Sequence, residues 1–109
     1  MLLRFCTITN VRADTTVADS TSFDFRNFSG GMVFVPAGSG ITVLTWYGSH
    51  DGITFLPIED GSGTAVTSTF SSSAAAAKAC LIPAACFAAA FLKIKATTED
   101  GLVDISLKS

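Results

Sequence analysis

Phe91-Leu-Lys-Ile-Lys-Ala-Thr-Thr-Glu-Asp-Gly-Leu-Val-Asp-Ile-Ser-Leu-Lys108 decides the fold class. Leu92, Ile94 and Ala96 alternate with Lys93 and Lys95, and Val103, Ile105 and Leu107 alternate with Asp104, Ser106 and Lys108. An extended chain points successive side chains to opposite sides, so each run has one apolar row and one polar row. Asp100-Gly101 is a turn signal between them. The spacing predicts a closing hairpin, Phe91–Ala96 with Leu102–Lys108, apolar rows inward. Opposite charges on its outer rows add only about 0–1 kcal/mol per exposed pair.

The same rhythm extends back along the chain. Turn signals recur at Asn27, Ser29-Gly30-Gly31, Pro36 to Gly40, Asp51-Gly52, Asp60 to Gly63 and Pro83. Short apolar, β-branched or aromatic runs separate them, the mark of an all-β sandwich or barrel. The predicted strands are Leu3–Thr9, Thr21–Phe25, Met32–Val35, Ile41–Gly48, Ile53–Ile58, Ala65–Ser71 and Lys78–Ile82. In the first, Leu3 and Phe5 share one face while Cys6 and Ile8 share the other. Phe23 and Phe25 share a face across Asp24. Pro36 stops the third strand because it cannot donate to a ladder. Ile41–Gly48 is rich in strand formers, and Ile53–Ile58 pairs with it. Val66, Ser68 and Phe70 alternate with Ala65, Thr67 and Thr69. In the Ala-rich segment, Pro83 splits the run. Phe87 and Phe91 at i,i+4 suit a short helical connection over Ala84–Ala90, with Phe87 packed into one end of the sandwich. The expected fold is an antiparallel β-sandwich, jelly-roll or immunoglobulin-like. It spans 1–109 as one domain, and residues 1–25 form a strand or arm that contacts a partner.

Composition narrows the function classes. The 109 residues are 49% hydrophobic and only 15% charged, against about 25% in an average globular chain. Uncharged hydroxyls fill the gap, with 12 Ser and 13 Thr. Mean hydropathy is +0.50. Such a chain is not a disordered tail, which needs high charge and low hydrophobicity. A net charge of −2 gives no basic footprint for nucleic acid or an anionic membrane. The N-terminal run is broken by Arg4 and turns polar by Thr9, so it is not read as a secretory signal. Ala74–Leu92 carries Lys78 and Pro83, and its uncharged part is shorter than the ~20 residues a bilayer needs, so it reads as buried protein. Cys6, Cys80 and Cys86 fit no metal pattern. They read as buried small side chains in a reducing compartment, with a Cys80–Cys86 disulfide as the alternative.

Candidate motifs are few. Ser49-His50-Asp51-Gly52-Ile53-Thr54-Phe55 predicts a tight hairpin and looks like a shortened Asp-box, the structural turn of sialidases and related β proteins. Trp46 and Tyr47 point to opposite faces of one strand. Core packing suits Trp46, and a rim or contact role suits Tyr47; aromatic platforms also stack on sugars. His50, the single histidine, is expected in solvent. A Ser–His–Asp triad needs convergence that sequence neighbours do not supply. Asp51, Glu59-Asp60 and Glu99-Asp100 read as solvated turns rather than calcium ligands. The glycines match neither phosphate-binding pattern. No catalytic residue, metal ligand or cofactor site is assigned. Partner-contact candidates are Trp46, Tyr47, His50, Leu3 and Phe5.

Val35-Pro-Ala-Gly-Ser-Gly-Ile-Thr-Val-Leu-Thr-Trp-Tyr-Gly-Ser-His-Asp-Gly-Ile-Thr-Phe-Leu-Pro-Ile58 resembles small structural proteins of tailed-phage virions. Ile82-Pro83, Phe87, Phe91-Leu-Lys-Ile-Lys95 and Val103-Asp-Ile-Ser-Leu-Lys108 are similar to the same pattern continued, so the resemblance covers Gly31 to Lys108. It implies a non-enzymatic sandwich that decorates or cements a phage head, made in the host cytoplasm and residing in the virion. Its implied partners are the major capsid protein or another virion protein, together with further copies of itself, with no nucleic acid and no membrane. The alternatives are a tail, neck or fibre component and a carbohydrate-binding module.

Overall fold

The computed structural model describes residues 6–70, 77–97 and 99–109. The chain runs through β1 (Cys6–Ala13), β2 (Phe23–Asp24), β3 (Gly30–Val35), β4 (Val43–Ser49), β5 (Leu56–Pro57), β6 (Thr67–Thr69) and β7 (Lys78–Leu81). A 3₁₀ turn (Ala84–Cys86), β8 (Phe91–Ala96) and β9 (Gly101–Lys108) follow. Every pairing between these strands is antiparallel. One sheet has the order β1-β9-β3-β7; the other has β2-β8-β4-β5, with β6 also on β4.

The pairings nest. β1 pairs with β9, β2 with β8, β3 with β7, and β4 with β5 and β6. The chain is therefore one long hairpin whose tip is the β4–β6 segment. The hairpin wraps on itself, so that β9 also takes β3 as a neighbour and β8 also takes β4. This wrapping is the jelly roll, and of the two sandwich types expected it is the one formed.

The predicted closing hairpin does not form. β8 and β9 lie in opposite sheets and share no pairing. The alternation itself is as expected: Leu92, Ile94, Ala96, Val103, Ile105 and Leu107 are all buried. A period of two fixes which side of a strand is buried but not which strand lies beside it. The four residues between them can span roughly 13 Å, enough to cross the ~10 Å between packed sheets. Arg12, paired with both Asp14 and Asp100, ties that crossing to the end of β1.

Other boundaries shift. Among the described residues the first strand runs Cys6–Ala13, past the expected end at Thr9, and its inward row ends on buried Val11 and Ala13. Leu3 and Phe5 lie outside the described residues, as does Ser71. Residues 6–13 are laddered to β9 along their whole length, so this part of the N-terminal region is a strand and not a loose arm. Ala65–Ser71 shortens to β6, with Phe70 buried as its alternation predicts. Only one 3₁₀ turn forms in Ala84–Ala90. Cys86 is the residue packed inside there, whereas Phe87 stays nearly half exposed, its ring 6.1 Å from that of Phe25. The Ala-rich region also leaves Leu81, Ala84, Ala85 and Ala88 at the surface, so it is not wholly buried. No helix among the described residues is long and apolar enough to cross a membrane.

One apolar cluster fills the space between the sheets. Trp46 is its largest fully buried side chain. It stands beside Ile94 in the ladder, and its indole N–H donates to Ser68 Oγ at 2.8 Å. Val33 pairs with Ile105 across β3 and β9. At Gly31 a Cβ would strike the Ser106 carbonyl and crowd Ile82 and Leu107, so a side chain there would wedge β3 from β9.

Trp46→Ala is expected to lower unfolding free energy by about 3–5 kcal/mol, because it empties the core. Ser68→Ala should cost about 1–3 kcal/mol, because it strands the buried indole donor. Urea denaturation followed by far-UV circular dichroism measures both.

Candidate interaction surfaces

β4 delivers Ser49, His50 and Asp51 to the rim of the sandwich. The buried Ser49 hydroxyl donates to Asp51 Oδ1 at 2.8 Å and accepts the backbone N–H of Gly52 at 2.9 Å. Asp51 Oδ1 also accepts the N–H groups of Ile53 at 2.8 Å and Thr54 at 3.0 Å. Gly52 takes φ +78°, the left-handed region that suits glycine. The Ile53 and Thr54 N–H groups, then the Ser49 hydroxyl, stabilise the carboxylate and hold Asp51 at a pKa of about 2. His50 is exposed, and among the described residues no hydrogen bond joins it to Ser49 or Asp51. The three neighbours thus form a capped turn and not a triad. It is also not the tight hairpin expected. β4 and β5 meet only at Tyr47–Pro57 and Gly48–Leu56, because the capped turn takes up the residues predicted to begin the next strand.

This geometry sorts the aromatic candidates. Trp46 has 0% exposure, so it can neither meet a partner nor stack on a sugar. Tyr47 is half-buried on the outer side, beside Pro57 and Lys93. The large apolar side chains exposed on the rim are ones the sequence reading passed over: Ile53 at 84% and Leu56 at 63%. Leu56, His50, Pro57 and Ala89 line a shallow groove there. The only signal for them was Ile53 and Leu56 on opposite faces of one short run.

The two outer sheet faces differ. On the β8 side the outward residues of the ladder include Lys93, Lys95, Thr45 and Thr67 together with the half-buried Val43, Tyr47 and Phe91. Lys93 donates to the Val17 carbonyl at 2.9 Å and stands 4.7 Å from the Phe55 ring centre. Arg26 pairs with Asp24 at 2.7 Å and lies over Phe91. This face is mixed, and its apolar side chains are partly covered by their own neighbours. On the β9 side, register places Ile8, Ser106, Met32 and Leu81 in one transverse row. The adjacent row is Asn10, Asp104, Phe34 and Ala79. Ile8 and Leu81 are each 71% exposed, and Phe34 and Leu102 are exposed beside them. The face therefore mixes exposed apolar side chains with Ser106, Asn10 and Asp104.

The remaining candidates are structural. Asp60 caps its own turn by accepting the N–H groups of Ser62 and Thr64. Cys6, Cys80 and Cys86 are free, so the Cys80–Cys86 disulfide is absent. Cys86 is buried as expected, and burial pushes its thiol up to about 12, but Cys6 is exposed because it falls on the outward row of β1. Among the described residues no group of three or more His, Cys, Asp or Glu could hold a metal ion. Comparison with known proteins finds no matching family model, no matching curated protein and no matching solved structure.

The cap on Asp51 makes a pH prediction. Its folded pKa is depressed, so its contribution is complete above the unfolded value near 4 and fades as pH falls toward about 2. Asp51→Ala is expected to melt below the wild type at about pH 6, with the difference shrinking from about pH 4 downward and lost as pH falls through about 2. Paired thermal melts across that range measure it.

Proposed function

We propose that the chain is a non-enzymatic structural protein of a phage-like virion, a decoration subunit that binds the capsid lattice and stabilises the head. The observation that carries this reading is the pair of separate surfaces with exposed apolar side chains: the Ile53–Leu56 rim and the outer face of β1-β9-β3-β7. The core is already filled without either of them. A subunit of an extended assembly needs at least two such surfaces, one for the lattice and one for its own kind, whereas a single-ligand module needs one. Weak contacts of this sort add up by effective concentration when many copies sit on one shell. Low charge favours them, since few ions lose water when the surfaces close. Jelly rolls also build viral capsid domains, although that is analogy at the level of fold.

In this reading the rim of Ile53, Leu56, His50 and Tyr47 faces the lattice. Burial of Trp46 takes away one of the two aromatic side chains that motivated a carbohydrate-binding module and leaves Tyr47.

Purified protein is expected to bind capsids stripped of it, from the particle whose genome encodes it, and to raise their melting temperature. Ile53→Lys with Leu56→Lys should weaken binding at least about 10-fold without unfolding the subunit. Binding is read by co-sedimentation, and folding by circular dichroism. Failure to bind or to stabilise such capsids overturns the proposal, as does particle imaging that places the protein at the neck, tail or fibre.

A further inference from the structure

We infer that the outer face of the β1-β9-β3-β7 sheet is a self-association surface, covered by the same face of a second copy related by a two-fold axis. The inference rests on register and complementarity, and it does not depend on the virion reading.

The row Ile8, Ser106, Met32 and Leu81 crosses all four strands. Place a two-fold axis along this row, in the plane between two facing sheets. Each strand then lies over its own counterpart, running the opposite way. Ile8 meets Ile8, Ser106 meets Ser106, Met32 meets Met32 and Leu81 meets Leu81, so three apolar side chains are covered by their own counterparts and one hydroxyl faces another. The rows on either side exchange, as an isologous contact requires.

That exchange is specific. On one side of the axis stand Asn10, Asp104 and Phe34; on the other stand Cys6, Lys108 and Gly30. The two-fold therefore sets Asp104 of one copy against Lys108 of the other, twice. It also sets the protruding Phe34 ring over Gly30, which has no side chain. The surface around Gly30 is already hollowed into a groove lined by Gly30, Met32, Leu81 and Ser106. Phe34 thus protrudes on one side of the axis and faces this groove on the other, where the Phe87 ring lies 3.8 Å from the place of a Gly30 Cβ. Within its own chain Asp104 accepts a hydrogen bond from Asn10 at 2.9 Å, while no carboxylate of the described residues pairs with Lys108. Face-to-face sheets pack about 10 Å apart with strands within about 30° of alignment, so the match holds best at the central row.

Sedimentation velocity of the full chain tests this. A concentration-dependent dimer is expected, populated by about 100 µM. Ser106→Arg, which puts two like charges at the axis, should raise the dissociation constant by at least about 30-fold. Asp104→Lys and Lys108→Asp should each weaken the dimer about 10-fold, and the double variant should return to within about 3-fold of wild type. Circular dichroism melts establish that each variant is folded. A chain that stays monomeric throughout overturns the inference. So does a dimer indifferent to Ser106→Arg, or a double variant as weak as the singles.

Discussion

The inner rows of β8 and β9 must be covered by something other than each other's edges. Each strand already has a ladder partner on both sides, β2 and β4 for one, β1 and β3 for the other. Leu92, Ile94 and Ala96 can therefore be buried only by the opposite sheet, and the same holds for Val103, Ile105 and Leu107. A closing hairpin would have put both rows in one sheet and left the second sheet without its central strand. Crossing between the sheets gives both a centre. From that crossing the nested order follows: β1 must return to β9, β2 to β8 and β3 to β7. Trp46 then sits in the middle of the enclosed volume, next to Ile94, with its one polar atom satisfied by Ser68.

The edge of β4 shows what happens where a continuous partner strand runs out. β5 pairs at one end and β6 at the other, and the chain between them leaves the sheet. Trp46 lies at the split, and its backbone is satisfied from both sides: Ile58 donates to its carbonyl, and its N–H donates to Val66. The Ile58–Val66 excursion is closed by Asp60, as the rim loop is closed by Asp51. In each case one carboxylate oxygen accepts N–H groups two residues and three or four residues on. Such self-capping lets short polar turns hold shape without burial.

The sequence carried the all-β class, the inward rows, the burial of Trp46 and the exposure of His50. These depend on local alternation and on turn residues, both legible within ten residues or so. Strand order was not legible in this way, because pairing is decided by partners far along the chain. Leu102–Lys108 looks equally suited to a neighbour in its own hairpin or to β1, some ninety positions earlier. The surfaces were half-legible. Apolar residues on both faces of several strands, notably Ile41–Tyr47, signalled that one core could not cover everything. The alternation that buries Val33 and Val35 is what exposes Phe34. Which outward residues would line up depends on register, and register emerges only once four strands are laid side by side.

The two outer faces differ in how far their apolar side chains stand open to water. In an antiparallel sandwich with water outside, outward positions ordinarily carry polar side chains. The β8 sheet sets Lys93, Lys95, Thr45 and Thr67 beside half-buried Val43, Tyr47 and Phe91. The β9 sheet, built from the same charge-poor chain, sets Ile8, Met32, Leu81, Phe34 and Leu102 at its outward positions, among Asn10, Asp104, Ser106 and Lys108. The difference lies in cover. Phe91 lies under Arg26, and Tyr47 stands beside Lys93 and Pro57. Ile8, Leu81, Phe34 and Leu102 stand exposed, although the core is complete behind them. Exposed apolar side chains grouped in this way are a liability in water, and the proposed self-association would relieve it.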